Sequence, residues 1–233
     1  AKQRILFQLG TQAFANTQFE QSIGYFDRSL GLGQYNRQTK ADALYWRGEA
    51  YYRLNRMEEA KRNFTDYLQL TQQTNNEMYA LAHYNLGYIA FHQKDYVQAQ
   101  NWFRKYISLE KGENKTALAD AYNRIGDCYL DVRNFDEAKH YYSQAEAMNT
   151  PSGDYSFYQL ALVSGLQKDY SGKITWLNRL AGKYPASPYA ISALYEKGRS
   201  YVLMDNNQQA ITSFKELLAK YPESPVSRNA AAE

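Results

Sequence analysis

The stretch ALYWRGEAYYRLNRMEEAKRNFTDYLQL (Ala43–Leu70) predicts two short helices joined by a tight turn. Apolar and aromatic residues recur at intervals of three or four in both halves, which is the pattern of helices that bury one face. The pattern breaks at Asn55, and a second helix is predicted to start at Met57. Gly48 and Ala60 are small, which suits the place where two antiparallel helices approach closely.

The same spacing recurs along the whole chain. A small residue is followed twelve positions later by Ala and four positions after that by an aromatic residue. Four copies fit and two are degenerate: Gly48-Ala60-Phe64, Gly87-Ala99-Phe103, Gly126-Ala138-Tyr142 and Gly198-Ala210-Phe214, then Gly10-Ser22-Phe26 and Ala161-Lys173-Leu177. Taken in chain order, the first members of the six copies are separated by 38, 39, 39, 35 and 37 residues. A period of this length indicates an array of helical repeats.

The repeats predict an all-α chain organised as one array over residues 1–233. The predicted repeats cover 3–36, 41–74, 80–113, 119–152, 154–187 and 191–225. Residues 226–233 are interpreted as a cap or as the start of a truncated seventh repeat. Because arrays of this kind normally end in polar capping helices, we favour a segment cut from a longer array.

The repeats resemble those of the tetratricopeptide repeat (TPR) family from Gln3 to Pro225. The matching residues are Leu194, Gly198, Tyr201, Ala210, Phe214 and Pro222 in the sixth copy, and Tyr122, Ile125, Gly126, Tyr129, Phe135, Ala138 and Tyr142 in the fourth. The resemblance implies a right-handed α-α superhelix (solenoid) of about six TPR-like helix-turn-helix repeats. It also implies a concave groove, built from the first helix of each repeat, that binds a peptide or a partner segment.

Charge and composition exclude several classes of function. Lys and Arg number 27 against 24 Asp and Glu, so the chain lacks the basic excess of a nucleic-acid or acidic-lipid binder. No stretch predicts a membrane span, and a single Cys excludes a disulfide framework or a cysteine-rich zinc site. We therefore expect a protein or peptide partner and no nucleic acid.

No motif for catalysis or for cofactor binding occurs in the sequence: there is no P-loop, GxGxxG, GxSxG, HExxH or CxxC. His83, His92 and His140 lack a carboxylate at the spacing of a zinc triad. Cys128 follows Gly126 closely and is predicted to pack as a small hydrophobic residue. We predict no catalytic residue, no cofactor and no metal, and therefore a chain that is not an enzyme.

The resemblance places positions two, five, nine, twelve and thirteen of each repeat on the inner, concave surface. Aromatic residues there supply contact area at low entropic cost, and Asp127 and Asp131 form an acidic spot for a basic side chain of the partner. Aromatic residues at the fifth position of five repeats argue against the family's Lys- and Asn-based clamp for a C-terminal carboxylate. The predicted groove residues are Tyr45, Tyr52, Tyr84, Tyr88, Phe91, Asp127, Asp131, Tyr155, Tyr158, Tyr195 and Arg199.

Two segments near the C-terminus carry a Tyr-Pro-x-Ser register, KYPASPYAISALYEKGRSY (Lys183–Tyr201) and FKELLAKYPESP (Phe214–Pro225). This register resembles repeats of bacterial cell-envelope proteins, including the TolA-binding periplasmic protein and the repeat lipoprotein of the outer-membrane assembly machine. The resemblance implies a scaffold or adaptor in the periplasm or associated with the outer membrane, with the cytoplasm as the alternative. A signal peptide or lipid anchor would lie outside this segment.

Two alternatives to a peptide-binding scaffold remain open. The array is either a structural spacer or a module that self-associates through its end repeats, or else it is the TPR region of a larger enzyme or signalling protein.

Overall fold

The computed structural model describes residues 1–32 and 36–231, and the described residues form thirteen helices and no strand. The helices are α1 Lys2–Ala15, α2 Phe19–Leu30, α3 Arg37–Arg53, α4 Met57–Leu70, α5 Glu77–His92, α6 Tyr96–Leu109, α7 Lys115–Asp131, α8 Phe135–Ala147, α9 Asp154–Leu166, α10 Tyr170–Lys183, α11 Ala190–Leu203, α12 Asn207–Lys220 and α13 Pro225–Ala230. Each odd-numbered helix from α1 to α11 packs on the helix that follows it. The all-α prediction of consecutive helix pairs is confirmed.

The helices group into two compact units, Ala1–Lys111 with α1–α6 and Gly112–Glu233 with α7–α13. The first unit holds three of the predicted repeats except for the last two residues of the third, and the second unit holds the other three. The single array over 1–233 stays a prediction. Within the first predicted repeat, residues 33–35 lie outside the described part of the chain. Among the described helices, none is long and apolar enough to cross a membrane.

The turn inside each helix pair is built in the same way six times. Each turn has one non-glycine residue in the left-handed region, with φ between 58° and 62°: Thr17, Asn55, Lys94, Arg133, Lys168 and Asp205. The backbone N–H of the next residue reaches back to a carbonyl of the first helix, as from Arg56 to Tyr51 at 2.9 Å. This bond satisfies a carbonyl that the helix end leaves open, which explains why the pairs turn so tightly.

A glycine of the first helix and an aromatic ring of the second form the seam of most pairs. A Cβ built on Gly126 would lie 2.7 Å from the ring of Tyr142, and one built on Gly87 would lie 2.9 Å from the ring of Phe103. Both rings are fully buried. In the fifth repeat the residue types change together, since Ala161 faces the smaller Leu177 in one apolar cluster.

The fifth repeat also has Lys173 where the other repeats have Ala or Ser. Its stem lies over Gly165, whose added Cβ would meet the Lys173 Cδ at 2.9 Å, and its ammonium group pairs with Glu196 of α11. At the C-terminal end α13 packs on α11 and α12 and buries Ala230. Residues 232 and 233 of the predicted cap or seventh repeat lie outside the described residues.

Candidate functional site

Most predicted groove residues of the first unit lie half-buried on α3 and α5. Tyr52 is on α3, and Tyr84, Tyr88 and Phe91 follow one another along α5. Tyr45 is different, because only 3% of it is exposed and its ring packs among the buried residues of α3, α4 and α5. Tyr45 therefore belongs to the core and not to the surface on which the sequence analysis placed it.

Three aromatic side chains of α5 pack against rings of α6, of which Phe103 and Tyr106 are buried. The ring centroids of Tyr84 and Tyr88 are 5.1 Å apart, and Tyr88 meets Phe103 edge to face at 5.4 Å. Tyr84 lies 5.0 Å from Tyr106, and Phe91 lies 5.6 Å from Tyr96. Offset and edge-to-face geometries of this kind are the favourable arrangements of aromatic pairs. The half-buried rings are consequently held in place from below.

Glu49 of α3 is a functional candidate that the predicted groove residues did not include. Its Oε1 accepts hydrogen bonds from the Tyr45 hydroxyl at 3.0 Å and from Nδ2 of Asn85 on α5. Burial and the neighbouring carboxylate raise the pKa of Tyr45, so this hydroxyl stays a donor. The only sequence signal for Glu49 is its place at position nine of the second repeat.

In the second unit Asp127 of α7 is held by side chains of three helices. Its Oδ1 accepts hydrogen bonds from the hydroxyls of Tyr142 on α8 and Tyr155 on α9, at 2.7 and 2.8 Å. Its Oδ2 lies 2.7 Å from Nη1 of Arg124. Burial raises the pKa of Asp127, and the cation and the two hydroxyls oppose that shift. Asp127 thus ties helices together inside the unit.

The two carboxylates of the predicted acidic spot therefore differ. The Asp127 side chain is 14% exposed and has bonds on both oxygens, whereas Asp131, one turn further along α7, is exposed. The sequence analysis treated the two residues as equal because both occupy inner positions of one helix. The structure separates them, since only one lies within reach of tyrosines from α8 and α9.

The remaining predicted residues of the second unit lie on α9 and α11. Tyr155 stands 4.7 Å from the guanidinium of Arg124, and Tyr158 stacks on Tyr189 at 4.8 Å with an interplanar angle of 17°. Tyr195 is half-buried beside Phe214, and the exposed Arg199 lies 5.9 Å from the Tyr195 ring. Tyr155, Tyr158 and Tyr195 are all half-buried, and each packs against a neighbouring side chain.

The predicted groove residues do not include a set of exposed apolar side chains on the same two helices. Leu162 and Leu166 of α9 are 39% and 44% exposed, and Val202 and Leu203 of α11 are 41% and 58% exposed. They occupy positions nine, twelve and thirteen of their repeats. Their signal in the sequence was an apolar residue at a position that the repeat pattern turns towards the inner surface.

The described residues hold no group of three His, Cys, Asp or Glu side chains that would bind a metal ion. Cys128 is buried, and burial raises the pKa of its thiol to about 12. His83 is buried against Tyr79, whose carbonyl lies 2.8 Å from Nδ1, and burial lowers the pKa of its ring. Cys128 and His83 are therefore both packed in the interior.

Three family profiles described as Tetratricopeptide repeat match the chain, over residues 7–61 with 123–188, over 77–150 and over 192–224. The first of these alone matches more than half of the 233 residues. The chain belongs to the tetratricopeptide repeat family. Members of this TPR family are generally non-catalytic scaffolds for protein–protein interaction.

Relatives of this TPR chain cover it in part or share only its fold. The ycf37 protein of Guillardia theta, described as uncharacterized, is 40% identical over 62 residues, which is 27% of this chain and 35% of that relative. The structure of PilF from Pseudomonas aeruginosa superposes with a TM-score of 0.68 at 16% identity, covering 99% of this chain and 97% of PilF.

Two other solved structures resemble the fold of this chain to a similar degree. PilW, described as a widely conserved type IV pilus biogenesis factor, gives a TM-score of 0.66 at 17% identity, with 98% of each chain covered. YrrB, described as a TPR protein with an unusual peptide-binding site, gives 0.65 at 16% identity and covers 89% of this TPR chain and 98% of its own. At these identities the likeness shows the fold alone.

Proposed function

We propose that this TPR chain is a non-catalytic scaffold that binds an extended peptide or partner segment along its first helices. The observation that carries the proposal is the half-buried row of Tyr84, Tyr88 and Phe91 on α5. Tyr106 and Phe103 support Tyr84 and Tyr88 from below, and Phe91 packs against Tyr96. Rings that are already ordered lose little conformational entropy when a partner packs on them.

The second unit supports the same function through exposed apolar side chains. Leu162, Leu166, Val202 and Leu203 leave apolar surface in water on α9 and α11. Contiguous exposed apolar surface commonly marks a contact site. Arg199, between Tyr195 and Val202 on α11, is exposed on the same helix.

We place this scaffold in a bacterial cell envelope, in the periplasm or at the outer membrane. The Tyr-Pro-x-Ser register of Lys183–Tyr201 supports this location, as does the fold shared with PilF and PilW. Fractionation of the source cells with detection by antibody tests it. Recovery in the periplasmic or outer-membrane fraction is expected, and recovery with the cytoplasmic proteins would argue against it.

The binding proposal is tested by selecting ligands from a phage-displayed library of random peptides on the full chain. We expect selected peptides to bind, and the double variant Tyr88→Ala with Phe91→Ala to lose at least about tenfold in affinity in fluorescence anisotropy, as for a hot spot of about 1.4 kcal/mol. The helical circular dichroism spectrum checks that the variant is folded.

A matched control removes the same amount of aromatic surface elsewhere. Tyr25 of α2 and Tyr170 of α10 are half-buried on second helices, so Tyr25→Ala with Tyr170→Ala should leave the peptide affinity within about twofold. Equal affinity of the folded Tyr88/Phe91 variant and the wild type would refute binding on α5. Failure to select any peptide would refute the scaffold function in this form.

A second candidate is self-association through the first repeat. Ile5 and Leu9, one turn apart on α1, are 55% and 37% exposed and form an apolar face. Light scattering of the wild type and of Ile5→Lys tests this candidate. A mass that increases with concentration only for the wild type would support self-association, and a monomer at all concentrations would exclude it.

A further inference from the structure

Glu49 differs from Asp127, the carboxylate at the same position of the fourth repeat, because only one of its two oxygens is bonded. Oε1 accepts two hydrogen bonds, from Tyr45 and Asn85. Within residues 1–32 and 36–231, no donor or cation is bonded to Oε2. A half-buried carboxylate with one oxygen engaged keeps acceptor capacity for a further donor.

Both donors to Oε1 are themselves fixed. Tyr45 is anchored in the core, with its ring centroid 5.6 Å from that of Phe64 and 5.3 Å from that of Tyr67. Asn85 belongs to α5, so the bond joins two neighbouring repeats. Its two residues are 36 positions apart in sequence. The carboxylate is therefore held in one orientation before any ligand arrives, and preorganisation of this kind lowers the entropic cost of binding.

Asp127 provides the comparison within the same chain, since it has the same repeat position in the second unit. Its charge is compensated by Arg124 and both of its oxygens are bonded. Glu49 has no such ion pair in the described residues. Arg53, one turn further along α3, does not pair with it there. A partly buried carboxylate without a cation gains most from a positively charged donor.

The neighbouring side chains also suit a cation with an apolar stem. Tyr52 lies one helical turn from Glu49 on α3, and Tyr88 lies one turn from Asn85 on α5. Both tyrosines are half-buried. Aromatic rings attract ammonium and guanidinium groups, and they pack against the methylene stems of Lys and Arg.

We infer that Glu49 forms a subsite for a lysine or arginine side chain of the bound segment. The inference rests on the proposed scaffold function and adds a chemical requirement to it: the ligand carries a basic residue that reaches α3 and α5. The sequence analysis assigned this role to Asp127 and Asp131. The structure assigns it to Glu49, whose charge has no cation within the described chain.

The test compares peptides selected from the random phage library on the wild type and on Glu49→Gln. Gln retains the acceptor for Tyr45 and Asn85 and removes only the charge, so the fold is expected to persist, as checked by circular dichroism. We expect a Lys or Arg at one fixed position among wild-type ligands and its loss among Glu49→Gln ligands. Glu223→Gln, an exposed loop residue with the same change in charge, is the matched control.

A double-mutant cycle then tests the contact itself. For a synthetic wild-type ligand, Glu49→Gln and replacement of the basic residue by norleucine should each weaken binding about tenfold, which corresponds to about 1.4 kcal/mol. The two changes together should weaken it no more than either alone, and Glu223→Gln should change it less than twofold.

The outcomes separate the two proposals. If peptides are selected but carry no preferred basic residue, or bind Glu49→Gln as tightly as the wild type, the subsite is refuted while the scaffold function stands. If the cycle is additive, the basic residue contacts another part of the chain and the subsite is again refuted. If no peptide is selected on the wild type, both proposals fail.

Discussion

The ring of Phe103 on α6 lies against the backbone of Gly87 on α5, so closely that a Cβ on Gly87 would fall 2.9 Å from two ring carbons. The same pair of positions places Phe64 beside Gly48, where the closest approach is 3.1 Å. Real Cβ atoms are essentially not found at the shorter of these distances, whereas at Gly48 the Phe64 ring and the Cβ of Asn63, 3.2 Å away, need to yield by only a few tenths of an ångström. The two sites therefore differ in how much a methyl group would disturb.

Gly87→Ala should destabilise the chain by about 1–3 kcal/mol, because the added methyl group overpacks a fully buried seam. Gly48→Ala is the control, since the better helix propensity of Ala, worth about 1 kcal/mol, offsets the smaller clash. Urea denaturation followed by circular dichroism measures both. Equal losses would show that the approach distance does not govern these seams.

Two other glycines should respond in the opposite direction. Gly24 in α2 and Gly182 in α10 have no atom within 4 Å of an added Cβ. Because Ala restricts the unfolded chain more than Gly does, Gly24→Ala and Gly182→Ala should each stabilise the chain by about 0.5–1 kcal/mol. Thermal denaturation should show a higher Tm for each variant and a nearly additive gain for both together. A lower Tm would contradict the open space at these positions.

Asp127→Asn should destabilise the second unit by about 1.5–3 kcal/mol, since it removes the charge that faces Arg124 and places an amide donor or a weaker acceptor there. Asp131→Asn is the matched control, because Asp131 is exposed and its loss should stay within about 0.5 kcal/mol. Urea denaturation distinguishes the two. A similar loss in both variants would mean that the bonds of Asp127 contribute little.

Alkaline pH should destabilise the chain through its buried tyrosines. Burial, reinforced by Asp127, raises the pKa of Tyr142 in the folded state, whereas an unfolded tyrosine releases its proton near pH 10. Stability linked to this group is therefore complete below about pH 10 and is lost as the pH rises above that value.

The measurement for this effect is the urea midpoint at several pH values between about 9 and 11. Tyr142→Phe should flatten the decline by up to about 1.36 kcal/mol per pH unit, because one titrating group is removed. Tyr25→Phe, on α2, gives the reference slope. A decline as steep in Tyr142→Phe as in this reference would exclude Tyr142 as a source of the pH dependence.

The sequence predicted the features that depend on spacing along the chain. The first and last members of the pattern are sixteen residues apart in every copy, as Gly87 and Phe103 are. Their pairing therefore follows from a hairpin that repeats along the chain. The hydrogen bonds of Asp127 could not be predicted in this way. Its partners Tyr142 and Tyr155 lie 15 and 28 residues away, and nothing in the spacing says that both hydroxyls converge on one oxygen.

Tyr45 and Leu162 illustrate the same limit for burial. Both occupy inner positions of their repeats, yet Tyr45 is 3% exposed and Leu162 is 39% exposed. Tyr45 packs against the rings of Phe64 and Tyr67 on α4 and donates a hydrogen bond to Glu49, contacts that the repeat position alone does not predict. The position in a repeat predicts which surface a side chain faces, and the neighbouring helices determine how deeply that side chain is buried.

The exchange of Ala for Lys173 in the fifth repeat limits how far this chain can be treated as interchangeable parts. The stem of Lys173 occupies the space over Gly165, and its ammonium group pairs with Glu196 of the following repeat. A fifth repeat grafted elsewhere in the array would bring a lysine without its carboxylate, and another repeat placed here would leave Glu196 without its cation. Recombination of these repeats, in evolution or in the laboratory, has to carry the fifth and sixth together.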